Sequence, residues 1–169
     1  RMTIRDARPA DLGAILDIHN HAIRTSLAIW LDEPVDLADR AAWLAEHQAA
    51  GHPVLVAEVD GAVVGYASFS AWRARWGYRH TVEDSVYIAE SHQRRGLGRA
   101  MVADLVGRAR AAGMHTMIAD IEAGNVASIA LHESLGFRRE GTIGEVGTKH
   151  GRWLDLAILR LPLEQGSPP

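Results

Sequence analysis

The sequence predicts a single α+β domain, in which a mostly antiparallel, twisted sheet carries helices on both faces. A chain of 169 residues is long enough for one well-buried domain and short for two. Apolar residues make up 47% of the chain and charged residues 23%, as in ordinary globular proteins. Periodic segments follow one another in the order β-α-α-β-β-β-α-β-α-β-β, which indicates a sheet layered with helices.

The N-terminal part of the chain predicts one strand and two helices. Residues 3–6 form the strand, and the first helix places four side chains on one face: Leu12, Ile15, Leu16 and His19. Asp36 is a typical N-cap for a second helix that runs to about Ala50, and Gly51 can end it.

The middle of the chain predicts a hairpin followed by a further strand. Asp60-Gly61 joins two β-branched runs, residues 54–59 and 62–69, and such a two-residue link is a strong hairpin signal. A loop rich in arginine and aromatic residues, 71–80, leads to the strand Thr81–Ile88.

The C-terminal half predicts two helices and three strands. The first helix has apolar side chains at near-i+4 spacing: Leu97, Met101, Leu105 and Ala109. A buried strand, a short helix closed by Gly136 and two final strands joined by a loop then follow: 116–121, 125–135, 137–146 and 153–161, with the loop at 147–152.

Charge and composition exclude several function classes. The net charge of −3 gives no general attraction to nucleic acid or to an anionic membrane. Without cysteine there is no disulfide, thiolate metal site or cysteine nucleophile. No apolar run approaches the roughly 20 residues that span a bilayer. We therefore expect a cytoplasmic protein with one domain over residues 2–163 and a disordered tail over 164–169.

Histidine spacing does not indicate a metal site. His19 and His21 are two residues apart, which places them on different sides of a helix. No His-Glu-x-x-His pattern occurs among the nine histidines. We expect no bound metal.

A glycine-rich turn between a strand and a helix is the first functional signal. Its sequence is Gln93-Arg94-Arg95-Gly96-Leu97-Gly98-Arg99. Glycines let the backbone approach a ligand, and the helix start offers free N–H groups to a phosphate. Met101 stands where a dinucleotide fingerprint needs its third glycine, and the Gly-Lys-Ser/Thr of a P-loop is absent. Alone, the motif could also be an ordinary strand-to-helix turn.

A second motif makes the first one specific. It is Asn125-Val126-Ala127-Ser128-Ile129-Ala130-Leu131-His132-Glu133-Ser134-Leu135-Gly136-Phe137. Together, the two motifs and the element order resemble the GNAT superfamily of N-acetyltransferases. That family holds the acetyl-CoA pyrophosphate on a Gln/Arg-x-x-Gly-x-Gly/Ala loop and follows it with an Asn and a Leu-Gly-Phe/Tyr segment. The resemblance implies acetyl-CoA as cosubstrate.

Further segments resemble the phosphinothricin acetyltransferase branch, and within it the methionine sulfone and methionine sulfoximine acetyltransferases. They are Asn20-His21-Ala22, 66–69, 81–88, 92–98 and 149–155. The resemblance implies acetylation of the α-amine of small, glutamate-like amino acids. It also implies detoxification of glutamine synthetase inhibitors, as in herbicide resistance, and a homodimer.

The resemblance also assigns roles to single residues. An α-ammonium must lose a proton before it attacks a thioester, and Glu83 matches the family's base. His132 stands where a tyrosine commonly protonates the leaving thiolate, and it could either donate that proton or only pack against the cofactor. The expected acetyl-CoA contacts are main-chain groups of Val86, Tyr87 and Ile88, the run Arg94, Arg95, Gly96, Leu97, Gly98 and Arg99, and the side chains of Asn125, Ser128 and Ser134.

The arginine-rich loop is the candidate for substrate specificity. A guanidinium binds a carboxylate with two donors, so Arg73 or Arg75 could hold the substrate's α-carboxylate. Trp76, Gly77 and Tyr78 follow in the same loop, and the two aromatic rings could wall the pocket. A solvated surface loop is the alternative interpretation.

Other functions stay open at the level of sequence. The chain could acetylate another amine or a protein N-terminus, for which an open cleft would be expected. It could also be a non-catalytic acyl-CoA-binding module, although Glu83 argues against that. A dehydrogenase is weaker still because the dinucleotide fingerprint is incomplete.

Overall fold

The computed structural model describes residues 1–164 and 166–169, and its strands and helices follow the predicted order. The strands are β1 (Met2–Asp6), β2 (Val54–Val59), β3 (Ala62–Ala71), β4 (Thr81–Ile88), β5 (Thr116–Glu122), β6 (Arg138–Lys149) and β7 (Arg152–Pro162). The helices are α1 (Leu12–Thr25), α2 (Leu37–Ala49), α3 (Leu97–Ala111) and α4 (Val126–Ser134).

The strands form one sheet with the order β1-β2-β3-β4-β5-β7-β6. Every neighbouring pair is antiparallel except β4 and β5. The α+β fold with a mostly antiparallel sheet is therefore confirmed.

Two separate cores show that helices cover both faces of this sheet. On one face, α1 and α2 pack Ile15, Ile18 and Leu44 against β2 and β3. On the other face, α3 and α4 bury a larger cluster that includes Met101, Leu105, Ile129 and the β5 side chains. Alternation of side chains along the strands separates the two cores, because successive residues point to opposite faces.

The parallel pair β4–β5 opens partway along its length. Thr81, Val82 and Glu83 pair with Thr116, Met117 and Ile118, and the pairing ends there. The remaining residues of the two strands diverge, so β4 lacks a partner along its C-terminal half on the β5 side. This opening positions the candidate site.

Several local predictions are confirmed in detail. The Asp36 carboxylate accepts a hydrogen bond from the Asp39 N–H at 2.9 Å, which caps α2. Val59 pairs directly with Ala62 across the Asp60-Gly61 turn, whose two residues have φ values of 51° and 83°. Such positive φ angles are those of the type I′ turn that two-residue hairpins favour.

The predicted loop at 147–152 is wrong. β6 continues to Lys149 and β7 begins at Arg152, so only His150 and Gly151 form the turn, with φ values of 48° and 73°. The register shifts between Ile143 and Gly147, and this irregularity hides the strand periodicity from a reading of the sequence. The two last strands therefore make one long hairpin at the edge of the sheet.

No helix within residues 1–164 and 166–169 is long and apolar enough to cross a membrane. The same residues contain no group of three or more His, Asp or Glu side chains that could hold a metal ion. The predicted disordered tail includes Gln165, which lies outside the described residues, so that prediction remains untested.

Candidate active site

A cavity of about 610 Å³ fills the opening between β4 and β5. Its walls include the second half of β4, the end of β5, the glycine-rich turn and the exposed side of α4. A cavity of this size lies within the range of small-molecule sites. The two sequence motifs therefore meet at one place, although about 30 residues of chain separate them.

The glycine-rich turn presents its backbone to this cavity. Arg94 and Gly96 adopt left-handed conformations, with φ values of 62° and 80°, and α3 begins at Leu97. The first helical hydrogen bond runs from the Ala100 N–H to the Gly96 carbonyl at 3.1 Å. The N–H groups that precede it at the helix start carry the positive end of the helix dipole, so the turn fits an anionic group.

Gln93 stabilises this turn against the end of β4. Its amide donates to the Ile88 carbonyl at 3.1 Å, so the side chain joins the turn to the strand that lines the cavity. This contact gives the first residue of the motif a positioning role.

Asn125 caps α4 beside the cavity. Its side-chain oxygen accepts a hydrogen bond from the Ser128 N–H at 3.1 Å, and both residues line the cavity wall. The amide nitrogen of Asn125 still has donors to offer a ligand, because the cap uses only the oxygen.

Ser134 and Arg99 contact each other across α3 and α4. The Arg99 guanidinium donates to the Ser134 hydroxyl at 3.1 Å, and that hydroxyl donates to the Leu131 carbonyl at 2.6 Å. Ser134 and Arg95 lie outside the described lining of the cavity. The structure therefore brings Arg94 and Arg99 to the cavity and does not bring Arg95 or Ser134 there.

Glu83 lies where β4 and β5 separate. Burial raises the pKa of its carboxyl group, the charge and hydrogen bonding of Asp120 raise it further, and the result is a pKa of about 7. The charge of Asp84 also raises this pKa, and that of Arg73 lowers it. A carboxylate with a pKa near neutrality can accept a proton at physiological pH.

His132 is buried beneath the cavity, with 3% of its side chain exposed. Its Nε2 lies 2.7 Å from Asp84 Oδ2, and its Nδ1 lies 2.7 Å from the Ser128 carbonyl oxygen. Burial opposes a charge on the ring, but the charge of Asp84 and the two hydrogen bonds raise the pKa of His132. Both ring nitrogens are therefore occupied.

The arginine-rich loop lies outside the described lining of this cavity, but the side chain of Trp72 contacts Asp120, which belongs to that lining. The Trp72 indole N–H donates to Asp120 Oδ2 at 3.1 Å, and the Arg73 guanidinium lies 4.5 Å from the Trp72 ring centroid. Trp76, by contrast, is 77% exposed and packs against Arg79. Arg73 is thus a loop arginine whose charge lowers the pKa of Glu83.

Sequence reasoning missed two contributors to the site, Asp84 and Asp120, and gave Trp72 no role beyond its place in the arginine-rich loop. The signal for Asp120 was an acidic residue inside the apolar run of β5. Asp84 could have been noticed as a second acid in the middle of a strand, because buried carboxylates need partners. The sequence offers no way to pair either one with its partner.

A family model matches this chain. The model of the Acetyltransferase (GNAT) family covers residues 15–137. An L-methionine sulfoximine/L-methionine sulfone acetyltransferase from Salmonella typhimurium is 49% identical over 99% of this chain and 98% of its own length.

Two solved structures resemble the whole fold. The acetyltransferase yncA from Salmonella typhimurium, solved with its cofactor acetyl-CoA, superimposes with a TM-score of 0.97 at 49% identity, over 100% of this chain and 98% of that one. A ribosomal-protein-alanine N-acetyltransferase from Brucella melitensis gives a TM-score of 0.93 at 49% identity, over 95% of this chain and 99% of that one.

Proposed function

The chain belongs to the GNAT family of acetyltransferases, it is an acetyl-CoA-dependent N-acetyltransferase, and we propose that its acceptors are small, glutamate-like amino acids. The proposed substrates are methionine sulfone, methionine sulfoximine and phosphinothricin, acetylated on the α-amine. The 49% identical relative that carries the first two names supports this proposal. The observation that carries it is a carboxyl group of raised pKa, Glu83, at the last paired position of β4 and β5. Glu83 lies outside the described lining of the cavity, and its neighbour Asp84 belongs to that lining.

We propose that the glycine-rich turn and β4 hold acetyl-CoA. The helix-start N–H groups of Leu97, Gly98 and Arg99 fit the pyrophosphate. Val86, Tyr87 and Ile88 line the opening beyond the last residues that pair with β5, although the Ile88 carbonyl already accepts from Gln93. Asn125 and Ser128 line the opposite wall, where they suit the polar pantetheine arm. When bound, acetyl-CoA supplies the activated acetyl group.

Glu83 is the proposed base. In its ionised form it accepts a proton from the substrate's ammonium group, directly or through one water, and leaves a neutral amine with a free electron pair. The raised pKa matches this task, because a carboxylate with an ordinary pKa near 4 would be a poor acceptor for an ammonium proton.

For His132 the contacts favour a packing role over proton donation. An imidazole that donates to the leaving thiolate would first have to release Asp84 or the Ser128 carbonyl. We propose that His132 holds α4 against β4 and so shapes the cavity floor.

Arg73 is the proposed partner of the substrate's α-carboxylate. Its charge already acts on Glu83, so a substrate held by this guanidinium would have its ammonium group near the base. Arg75, Trp76, Gly77 and Tyr78 remain predictions for the same specificity loop. Detoxification, a cytoplasmic location and a homodimer likewise remain predictions.

The proposed function is tested by measuring release of free CoA from acetyl-CoA with each amine. We expect turnover with methionine sulfone, methionine sulfoximine or phosphinothricin. Glu83→Gln should lose at least about 100-fold in kcat, as expected for loss of a general base, and keep its affinity for acetyl-CoA. Glu46→Gln, on the exposed side of α2, is the matched control. CoA release that does not exceed background with any of the three amines at millimolar concentration would reject the substrate class.

A protein N-terminus is the second candidate acceptor. The Brucella structure that is called a ribosomal-protein-alanine N-acetyltransferase is as similar in sequence as the amino-acid acetyltransferases. A peptide with an N-terminal alanine therefore belongs in the same assay. If that peptide is acetylated with a higher kcat/KM than the free amino acids, the acceptor is a protein.

A further inference from the structure

Asp120 lies on the same face of the sheet as Glu83. In the parallel pair, Glu83 is opposite Ile118, so these two side chains share a face. Asp120 follows Ile118 by two residues, and residues two apart on a strand point the same way. Asp120 therefore points into the space beside Glu83, just beyond the last paired residues of β4 and β5.

The Asp120 carboxylate is held in place from the other side. The Trp72 indole N–H binds Oδ2 at 3.1 Å, and the Trp72 ring is itself fixed edge-on against Tyr78, with ring centroids 5.5 Å apart. Asp120 is exposed and lines the cavity. The Asp120 carboxylate thus accepts one hydrogen bond from Trp72 and is otherwise open to the cavity.

Asp84, the other carboxylate near Glu83, differs in its surroundings. It points to the opposite face, where His132 contacts it at 2.7 Å and no solvent reaches its side chain. The histidine offsets much of its charge. Among the charged groups that act on Glu83, Arg73 follows β3, Asp84 belongs to β4 and Asp120 belongs to β5. The β3 residue opposite Glu83 is the uncharged Ser70.

We propose that Asp120 is the positioning residue for the catalytic base. Its carboxylate, held by the Trp72 indole, shares one proton with the Glu83 carboxylate in the absence of substrate. The ammonium group of the substrate then takes the place of that proton. Two carboxylates in contact repel each other, and a shared proton removes that repulsion. An arriving ammonium group brings its own positive charge, so the shared proton can leave to solvent. Glu83 is then ionised beside the amine that it must deprotonate.

This inference rests on the proposed role of Glu83, but it makes a claim that needs no substrate. Removing the negative charge of Asp120 removes the largest charge that opposes ionisation of Glu83. The Glu83 carboxyl group should therefore ionise at lower pH in Asp120→Asn, even in the absence of acetyl-CoA and amine.

The decisive experiment is a ¹³C NMR titration of the Glu83 side-chain carboxyl group. Its resonance is assigned as the one that is missing from the spectrum of Glu83→Gln. We expect a midpoint near pH 7 in the wild type, as its raised pKa indicates. Asp120→Asn should lower that midpoint by roughly one pH unit. Asp120→Glu should give a midpoint closer to that of the wild type than Asp120→Asn does, because it keeps the negative charge. Asp104→Asn, on α3 and paired with Arg108, is the matched control and should leave the midpoint unchanged.

Kinetics provide the second readout. The acidic limb of the kcat/KM profile for the amine should move to lower pH in Asp120→Asn by the same amount as the NMR midpoint. An unchanged Glu83 midpoint in folded Asp120→Asn would overturn the inference. A shifted midpoint in a protein that acetylates none of the amines would leave it standing and reject the proposed substrates instead.

Discussion

At the scale of single residues, the site depends on how each carboxylate is partnered. Asp84 and His132 form a buried ion pair with side-chain exposures of 0% and 3%. Buried charges are costly unless they are paired and hydrogen-bonded, so removal of one partner is strongly destabilising. The pair therefore joins α4 to β4 firmly and keeps the floor of the cavity in one shape.

The pair predicts a pH-dependent stability. The raised pKa of His132 means that this histidine binds a proton more tightly in the folded protein than in the unfolded chain, where its pKa is 6.5. The stabilisation is complete below that pH and is lost as pH rises through the folded pKa. Asp84→Asn should thus lower the free energy of unfolding by about 3 kcal/mol at pH 6 and by much less at pH 9.

Urea unfolding at both pH values measures this effect. Asp60→Asn is the control, since Asp60 lies in an exposed turn with a φ of 51° that asparagine accepts. Equal destabilisation by Asp84→Asn at pH 6 and pH 9 would show that His132 is uncharged in the folded protein.

At the scale of elements, the long β6–β7 hairpin holds the loop between α1 and α2. Lys149, the single lysine of the chain, is buried and donates to the Ser26 and Ile29 carbonyls at 2.8 and 2.6 Å. Trp30 packs so closely on Gly147 that no side chain would fit at that position. Ala28 of the same loop lines the cavity, so the hairpin sets one wall of the site from a distance.

Lys149→Met should release this loop. The variant keeps the length of the side chain but leaves the two carbonyl groups without their donor, at a cost of about 2 kcal/mol. We expect faster amide hydrogen exchange in residues 26–32 and a higher KM for the amino acid.

Arg152→Met, at the exposed end of the same hairpin, is the matched control for this element. Unchanged exchange in residues 26–32 of Lys149→Met would mean that the loop is held by Trp30 and the Asp32 contact with the His150 N–H instead.

At the scale of the whole molecule, one edge of the sheet carries an apolar surface. β6 is an edge strand that is exposed along most of its length. Three large apolar side chains of the hairpin are solvent-exposed: Ile143 at 46%, Val146 at 50% and Trp153 at 69%. Exposed apolar patches and free strand edges favour association, which supports the predicted homodimer.

Trp153→Glu should weaken that homodimer, because a charge would be buried at the interface. Light scattering after size exclusion should give about twice the 18.4 kDa chain mass for the wild type and a smaller mass for the variant at micromolar concentration. Leu37→Glu, at an exposed apolar position of α2, is the control. A monomeric wild type would reject the homodimer.

The sequence by itself determined the order of the elements and the two motifs that meet at the cavity. Hydrophobic periodicity, the Asp36 cap and the Asp60-Gly61 turn are local signals, and local physics is enough to interpret them. The glycine-rich turn and the Asn125 segment carry their chemistry within a few residues, so both could be recognised before the fold was known. Glu83 could be named because the resemblance supplied its role.

Only the tertiary structure decided which partners surround these residues. Asp120 lies on the same face as Glu83 because β4 and β5 pair in parallel before they separate. Trp72 donates a hydrogen bond to Asp120 although 48 positions separate them in the sequence. Asp84 contacts His132 because α4 packs on the opposite face of the sheet. Strand register and helix packing arise from the burial of the whole core, which no short segment encodes. Sequence therefore identified the candidate base, and the fold decided what sets its charge.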